Sequence, residues 1–460
     1  MVKIAEQDTS LLNLFNESRN LIEKDASPLV NQWRTKAEEA FRQLGIPSNK
    51  VEAYKYTNLQ PWFKAQYAYS FSENGYQGKI DEIFKCDVES MESHTVFMVN
   101  GKFIPGSNGN VLPQGVVIGS FFELAKKHSH IVEKYYSKIA PVTEDGMVAL
   151  NTMYATDGIF IHVPAGKVVE KPIQIVNILT GEKDLMVNQR NLIVIEENAQ
   201  ARVLFCDHTL TQSRFVINSV TEAQIDGTSN LDFYNIQNQH NGTIQVGGYY
   251  FNQEKQSVLN ANYFTLHTGI ARNNIFARLG GEHAENHISG LYLIDKNQHV
   301  DNFSYINHAV PDCESNELFK GVMDDASTGA FTGRILVAKD AQRTNAYQSN
   351  NNLLLTENAK MNTRPQLEIY ADDVKCSHGA TVGQLDDNAL FYLRARGISK
   401  EEANILLRFA FAYEVIEKIQ MPELKEQIRE LVEKRFRGEL DKCDSCVVCG
   451  QVDKRGLSCV

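Results

Sequence analysis

From about Gly146 to Gly383 the chain is a long series of short runs in which apolar and polar residues alternate with period two. GIFIHV, PIQIVNI, NLIVIEEN, ARVLFCD, RFVINSV, NLDFYNI, SVLNANYFTL, RNNIFARL and RILVAKD are each about one strand long. Asn, Gly, Asp and Gln turns separate them, and Pro311 is the one proline between Pro172 and Pro365. More than ten strands without a helical period between them predict an all-β unit. Neutral amides recur along it, at Asn235, Gln237, Asn238 and Gln239 and again at Gln348, Asn350, Asn351 and Asn352. Stacked coils let such amides bond from rung to rung, which favours a β-helix over a sandwich or jelly roll joined by tight hairpins.

The flanks read differently. In residues 1–145, Ser27 and Pro28 open a helix whose apolar positions, Leu29, Val30, Trp33, Ala37, Ala40, Phe41 and Leu44, fall on one face. An earlier helix is expected over Leu11 to Ile22, and Asn100-Gly101 in FMVNGKFIP predicts a hairpin. After the β unit (146–385) comes a helical module (386–440). There Ser399 and Glu402 form the pattern of a capping box, and Ile405, Phe409, Ala412, Ile416 and Ile419 share a face. Pro422 starts a further helix with Leu424, Ile428 and Leu431 inside. Residues 441–460 are a cysteine-rich tail.

The formal charge of −11 argues against a nucleic-acid partner. No stretch approaches the roughly 18 apolar residues of a membrane span, and the start lacks a basic region followed by an apolar one, so a cytoplasmic location is expected. No phosphate loop, dinucleotide fingerprint, nucleophile elbow or zinc-protease helix occurs, so no enzymatic activity is expected.

Several clusters hold metal-ligand residue types. Glu282, His283, Glu285 and His287 lie close together, the last three on one strand face, but they would meet a metal only if that face were enclosed. His308, Asp312, Cys313 and Glu314 carry the same objection, and acids beside Cys313 should raise its pKa. Cys376 and His378, two apart in DVKCSHGATVG, would share a strand face and could bind a soft metal or sulfur, or be a small core residue and an edge polar. Cys443, Cys446 and Cys449, with Cys459 beyond, could surround a metal or cluster or be a thiol-bearing tail.

Three segments, SNKVEAYKYTNL (48–59), RNLIVIEENAQARV (190–203) and above all DVKCSHGATVGQLDDNALFYLRARGI (373–398), resemble the SufB/SufD scaffold family of the Suf iron–sulfur cluster assembly system. EAYKYTNL points to the SufD branch rather than the SufB branch. The resemblance implies a right-handed parallel β-helix between helical ends and a non-catalytic scaffold that pairs with SufB. It also implies that each C-terminal helical module holds a copy of the ATPase SufC, whose ATP-driven dimerisation would move the joint between the two β-helices. His378 would then stand at the SufB joint near the site of cluster assembly, with Cys376 as its neighbour. Phe391, Tyr392, Leu393, Arg394, Arg396 and Gly397, with Ile405 and Phe409, match the region that docks SufC. No tightly bound cofactor is expected on this chain alone, an iron–sulfur cluster being held transiently in the complex; without partners a homodimer is expected. The competing expectation, a carbohydrate-acting β-helix enzyme, rests on the solenoid and on acids such as Asp324 and Asp325.

Overall fold

A computed structural model describes residues 6–71, 91–104 and 112–439. The first helices are α1 (Glu6–Glu23) and α2 (Pro28–Leu44). As the sequence predicts, the Ser27 hydroxyl accepts the Val30 N–H at 3.4 Å and Pro28 follows it. Short strands β1 (Ala68–Tyr69), β2 (His94–Val99), β3 (Lys102–Ile104) and β4 (Val117–Ser120) come next. The hairpin joining β2 and β3 turns on Asn100 and Gly101, both at positive φ. Helices α3 (Phe121–Lys127), α4 (Ser129–Tyr135) and α5 (Gly146–Tyr154) complete this part. Gly146–Tyr154, where the alternating zone was expected to open, is thus a helix, buried throughout because α2 covers one side of it and a sheet the other.

The β unit consists of β5 (Ile159–Val163), β6 (Ile173–Leu179), β7 (Leu185–Ile195), β8 (Gln200–Thr209), β9 (Phe215–Ile225) and β10 (Asn230–Asn238). It continues with β11 (Thr243–Gln253), β12 (Val258–His267), β13 (Ile270–Leu279), β14 (Glu285–Ile294) and β15 (His299–His308). The last strands are β16 (Glu314–Met323), β17 (Thr328–Val337), β18 (Thr344–Leu354), β19 (Lys360–Ile369) and β20 (Val374–Gly383). Odd-numbered strands from β5 to β19 form one sheet and even-numbered strands from β6 to β20 the other, each strand pairing in parallel with the strand two places away. Two strands therefore make one coil, and the chain winds a parallel β-solenoid of about seven turns. A sandwich would have joined neighbouring strands by hairpins.

The coils are held in step at one corner. Gly166, Asn198, Thr228, Gln256, His283, Asp312 and Arg343 all have left-handed backbone, one per turn. The N–H groups of Gly166, Asn198, Thr228 and Gln256 donate to carbonyls of the next coil at 2.8–3.0 Å. One residue type after another fills this place, and the coil length varies too. Ile244 stands opposite Ile270, 26 residues on, and Thr328 opposite Lys360, 32 on.

Inside the coils the early turns are filled by Ile161, Ile175, Ile193, Val203 and Phe233. A buried polar strip runs beside them, where Asp207 accepts amide N–H groups from Asn177, Asn235 and Gln245 at 2.8–2.9 Å. The predicted amide ladder exists, inside the lumen: Gln237 donates to Asn273 and Asn273 to Asn302, each at 2.9 Å.

Both outer faces are partly covered. The N-terminal helices pack Leu11, Phe15, Phe41, Met147 and Met153 onto the odd sheet, against Val216, Val220 and Tyr250. Two ion pairs lie in that seam: Arg190 with Glu222 at 2.6 Å, both fully enclosed, and Arg272 with Asp301 at 2.5 Å. Glu222 also accepts the N–H groups of Ser137, Ile139 and Ala140, and Arg272 donates to Ala53 O beside the Tyr54 ring. On the even sheet lie α6 (Asp387–Ala395), α7 (Lys400–Ile416) and α8 (Pro422–Phe436), of which α7 and α8 bury Ala412, Ile416, Leu424, Ile428 and Leu431 against Leu204, Phe264 and Leu291. Ser399 caps α7 through Glu402 N at 3.1 Å, but the Glu402 carboxylate pairs with Arg437 at 3.0 Å, so the expected box is half made. Among the described residues no helix is long and apolar enough to cross a membrane.

Removing one member of a buried pair leaves the other charged and unsolvated, at a cost of about 3–5 kcal/mol. Glu222→Ala should therefore lower the unfolding free energy in urea by about that amount, while Arg42→Ala, which breaks an exposed pair with Glu38, should change it by less than about 1 kcal/mol. Equal effects would show that the seam does not hold the N-terminal region in place.

Candidate functional site at the open end of the solenoid

The two ends of the solenoid differ. At the first coil β4 runs antiparallel against β5 and β3 against β2, and β5 and β6 are buried throughout. Among the described residues the last coil has no such cover: β19 and β20 are the outermost strands of their sheets, β19 half-buried and β20 mostly exposed. Each presents a row of backbone donors and acceptors with no strand beyond it among the described residues. Ile369, Tyr370 and Val382 are large apolar residues left exposed on this coil.

Strand alternation decides what the end presents. Val374 and Cys376 pack against the interior cluster, so His378, Ala380 and Val382 continue the same inward face. The register sets Cys376 over Ala346, His378 over Gln348, Ala380 over Asn350 and Val382 over Asn352. Cys376 and His378 thus share one face, as their spacing predicts. Cys376 is half-buried, and burial pushes its thiol pKa up, so it is no activated thiolate. His378 is exposed at the rim. Beside it, a groove of about 790 Å³ runs along the outer face of the even sheet to α7, lined by polar groups including Asn262, Ser289, Ser349, Ser377 and Lys418.

Next along the chain, α6 buries none of its residues. The Asp386 carboxylate caps it through Asn388 N at 2.9 Å, and Gly397 at φ 87° ends it. Phe391 is 74% and Tyr392 57% exposed, with the Arg396 guanidinium 3.6 Å from the Tyr392 ring centre. Leu393 is half-buried and Arg394 exposed. Ile405 and Phe409 are half-buried on α7, and Phe409 packs into the apolar cluster against the sheet rather than standing outward with Phe391.

The other predicted clusters are not brought together. His283 occupies the left-handed corner, while Glu285 and His287 lie on the outer face 3.6 Å apart. His308 points inward, bonded through Nε2 to Ser315 at 2.8 Å, and burial lowers its pKa to about 4. Asp312 is at a corner with Arg343 at 2.5 Å, and Glu314 accepts from Asn316. Cys313 is buried and its pKa is raised, chiefly by burial. Asp324 and Asp325 serve a corner too, Asp324 accepting the Asp325 N–H and Asp325 the Lys296 N–H at 2.9 and 3.0 Å. Among the described residues no three His, Cys, Asp or Glu side chains are placed to hold a metal. Cys443, Cys446 and Cys449 lie outside the described residues.

One residue escaped the sequence reading. Glu317 points into the lumen below Gln348, and burial raises its carboxyl pKa to about 7 against the partial offset of Ser304 and Gln348. Its signal was available, since in ESNELFKGVM the positions alternating with Phe319 and Met323 include Glu317.

Comparison with known proteins places the chain. Residues 5–175 match the model of the SufBD protein N-terminal region, and residues 177–411 that of the SufBD core domain of SUF-system FeS cluster assembly. An iron–sulfur cluster assembly SufBD family protein of Synechocystis is 30% identical over 88% of this chain and 91% of its own length. The iron–sulfur cluster assembly protein SufD of Escherichia coli is 28% identical over 93% of this chain and 97% of its own, and that of Bacillus subtilis 26% identical over 70% and 75%. With a stacked-coil core, helical ends and these matches over most of its length, the chain belongs to the SufBD family of iron–sulfur cluster assembly proteins.

Proposed function

We propose that this chain is a non-catalytic scaffold subunit that pairs with SufB through the open end of its solenoid and holds one SufC ATPase on its C-terminal helices. The observation that carries the reading is the contrast between a covered first coil and a bare last one. A second solenoid laid against β19 and β20 would satisfy their free backbone groups and cover Ile369, Tyr370 and Val382. The exposed Phe391 and Tyr392 on α6 suit the second partner, because an aromatic pair flanked by Arg394 and Arg396 gives the apolar anchor and charged rim of a docking surface. The Cys376–His378 face then lies at the joint. There an imidazole nitrogen is a ligand for incoming iron or a carrier of protons, the cluster being cargo assembled between subunits. ATP binding belongs to the partner, in keeping with a chain that carries no phosphate loop. Dimerisation of two SufC copies would draw the helical modules together, and α7 and α8, packed on the even sheet, would pass the motion to the joint.

Co-expression with SufB and SufC should give one complex on size exclusion. Val382→Lys, a charge set into the open rung, should abolish pairing with SufB while the circular dichroism spectrum stays that of the parent; retained pairing would remove the edge from the interface. Phe391→Asp with Tyr392→Asp should lose SufC and keep SufB. His378→Ala should assemble normally but fail to support cluster formation in cells, and wild-type cluster formation by that variant would make the histidine a bystander.

A further inference from the structure

Behind His378 lies a column of inward side chains that no role above accounts for. Glu317 on β16, Gln348 on β18 and His378 on β20 occupy directly opposed positions on consecutive strands, so they stack one above another at the rung spacing of about 4.8 Å. Gln348 Nε2 donates to Glu317 Oε2 at 2.6 Å. Gln348 is 3% exposed, yet its Oε1 has no hydrogen-bond partner. An amide whose nitrogen is turned down to the carboxyl turns its oxygen away from it, and the next rung that way is the one bearing His378. The facing sheet leaves room for this side chain: a Cβ on Gly333 would lie 2.2 Å from Gln348 Nε2.

We propose that Glu317 and Gln348 are positioning residues for His378, the Gln348 amide turning over with the protonation state of Glu317 and thereby selecting which ring nitrogen of His378 carries the proton. With Glu317 ionised, Gln348 Nε2–H donates to it and Oε1 accepts the N–H of the lumen-facing ring nitrogen. The outward nitrogen then keeps a free lone pair. When Glu317 takes a proton from solvent, its O–H donates to Gln348 Oε1 and the reversed amide offers an N–H to the ring. The lumen-facing nitrogen becomes the acceptor, and exchange with water leaves the proton on the outward nitrogen. In the first state His378 offers the joint a ligand, in the second a proton donor.

The surroundings suit a two-state carboxyl. Ile288 stands on the rung below Glu317, Gln348 on the rung above, and Ser304 and Gly333 come from the opposite sheet. The other titratable side chains of this stretch of lumen carry no charge at neutral pH: His308, Tyr292 with its hydroxyl on Asn352, and the thiols Cys313 and Cys376. Burial, partly offset by the Ser304 and Gln348 hydrogen bonds, brings the Glu317 carboxyl up to about 7, within the range a cell samples.

The value of this device for cluster assembly rests on the function proposed above, but its test does not. In the full chain labelled with ¹⁵N-histidine, the His378 signals, identified by their loss in His378→Ala, report the ring tautomer directly. Between pH 6 and 8.5 the tautomer ratio should change by about fivefold, the bias of one hydrogen bond. That change should vanish in Glu317→Gln and in Gln348→Leu. A ratio that follows pH equally in the parent and both variants, or stays constant in the parent, would overturn the proposal. Stability gives an independent reading of Glu317. A carboxyl whose folded pKa lies above its unfolded value withdraws stability as pH rises through the folded pKa, so Glu317→Gln should gain on the parent in urea midpoint from pH 5.5 to 8.5. A constant difference would show that Glu317 does not titrate. If the tautomer responds while His378→Ala still assembles clusters, the switch stands and the assembly role falls; the reverse result separates them the other way.

Discussion

A stack of parallel coils has to end somewhere, and its last strands then hold a full row of unpaired backbone groups. That constraint organises this molecule. At the first coil the antiparallel strands β3 and β4 close both sheets, while at the last coil nothing among the described residues does. A long bare edge on a free protein invites pairing, which is the opening that the proposed partner would fill. The same bare rung exposes His378 and leads by a few residues into the exposed helix α6.

The flanking helices are held on the two sheets of the solenoid. On the odd sheet the N-terminal region is held by the buried pairs Arg190–Glu222 and Arg272–Asp301, whose charges are matched by backbone donors and carbonyls, so its position is fixed by direction as well as by apolar contact. On the even sheet α7 and α8 lie on an apolar strip from Leu204 to Val322, with polar links at its margin such as Arg435 to Asp295. Arg435 also donates to Leu266 O and Lys320 to Phe411 O, so this cover too is fixed in direction as well as by apolar contact.

Much of the architecture was legible because strand alternation and helix capping are local. The β runs, the Ser27 and Ser399 caps and the Asn100-Gly101 turn follow from residues within four positions of one another. The turn-to-turn repeat was not legible. Its marker is a left-handed corner that any residue from Gly166 to Arg343 can fill while the next coil accepts its N–H, and the coil length drifts. Metal-ligand types carried no site by themselves, since His283 and Asp312 are corner residues and His308 points into the lumen with Nε2 bonded to Ser315. The Cys376–His378 face was legible from a spacing of two. The inward place of Glu317 was legible from alternation, but its partner was not, because that depends on a register 31 residues away, where it meets Gln348.

The central claim is that the last rung is a free surface in the isolated chain and an interface in the assembly. Hydrogen–deuterium exchange across residues 360–383, followed in the chain alone and after mixing with SufB, tests it most directly. Fast exchange of the outward-facing amides of β19 and β20 in the free chain, and strong protection confined to this rung in the mixture, is the predicted result. Protection that appears elsewhere on the solenoid while these strands exchange unchanged would contradict the account.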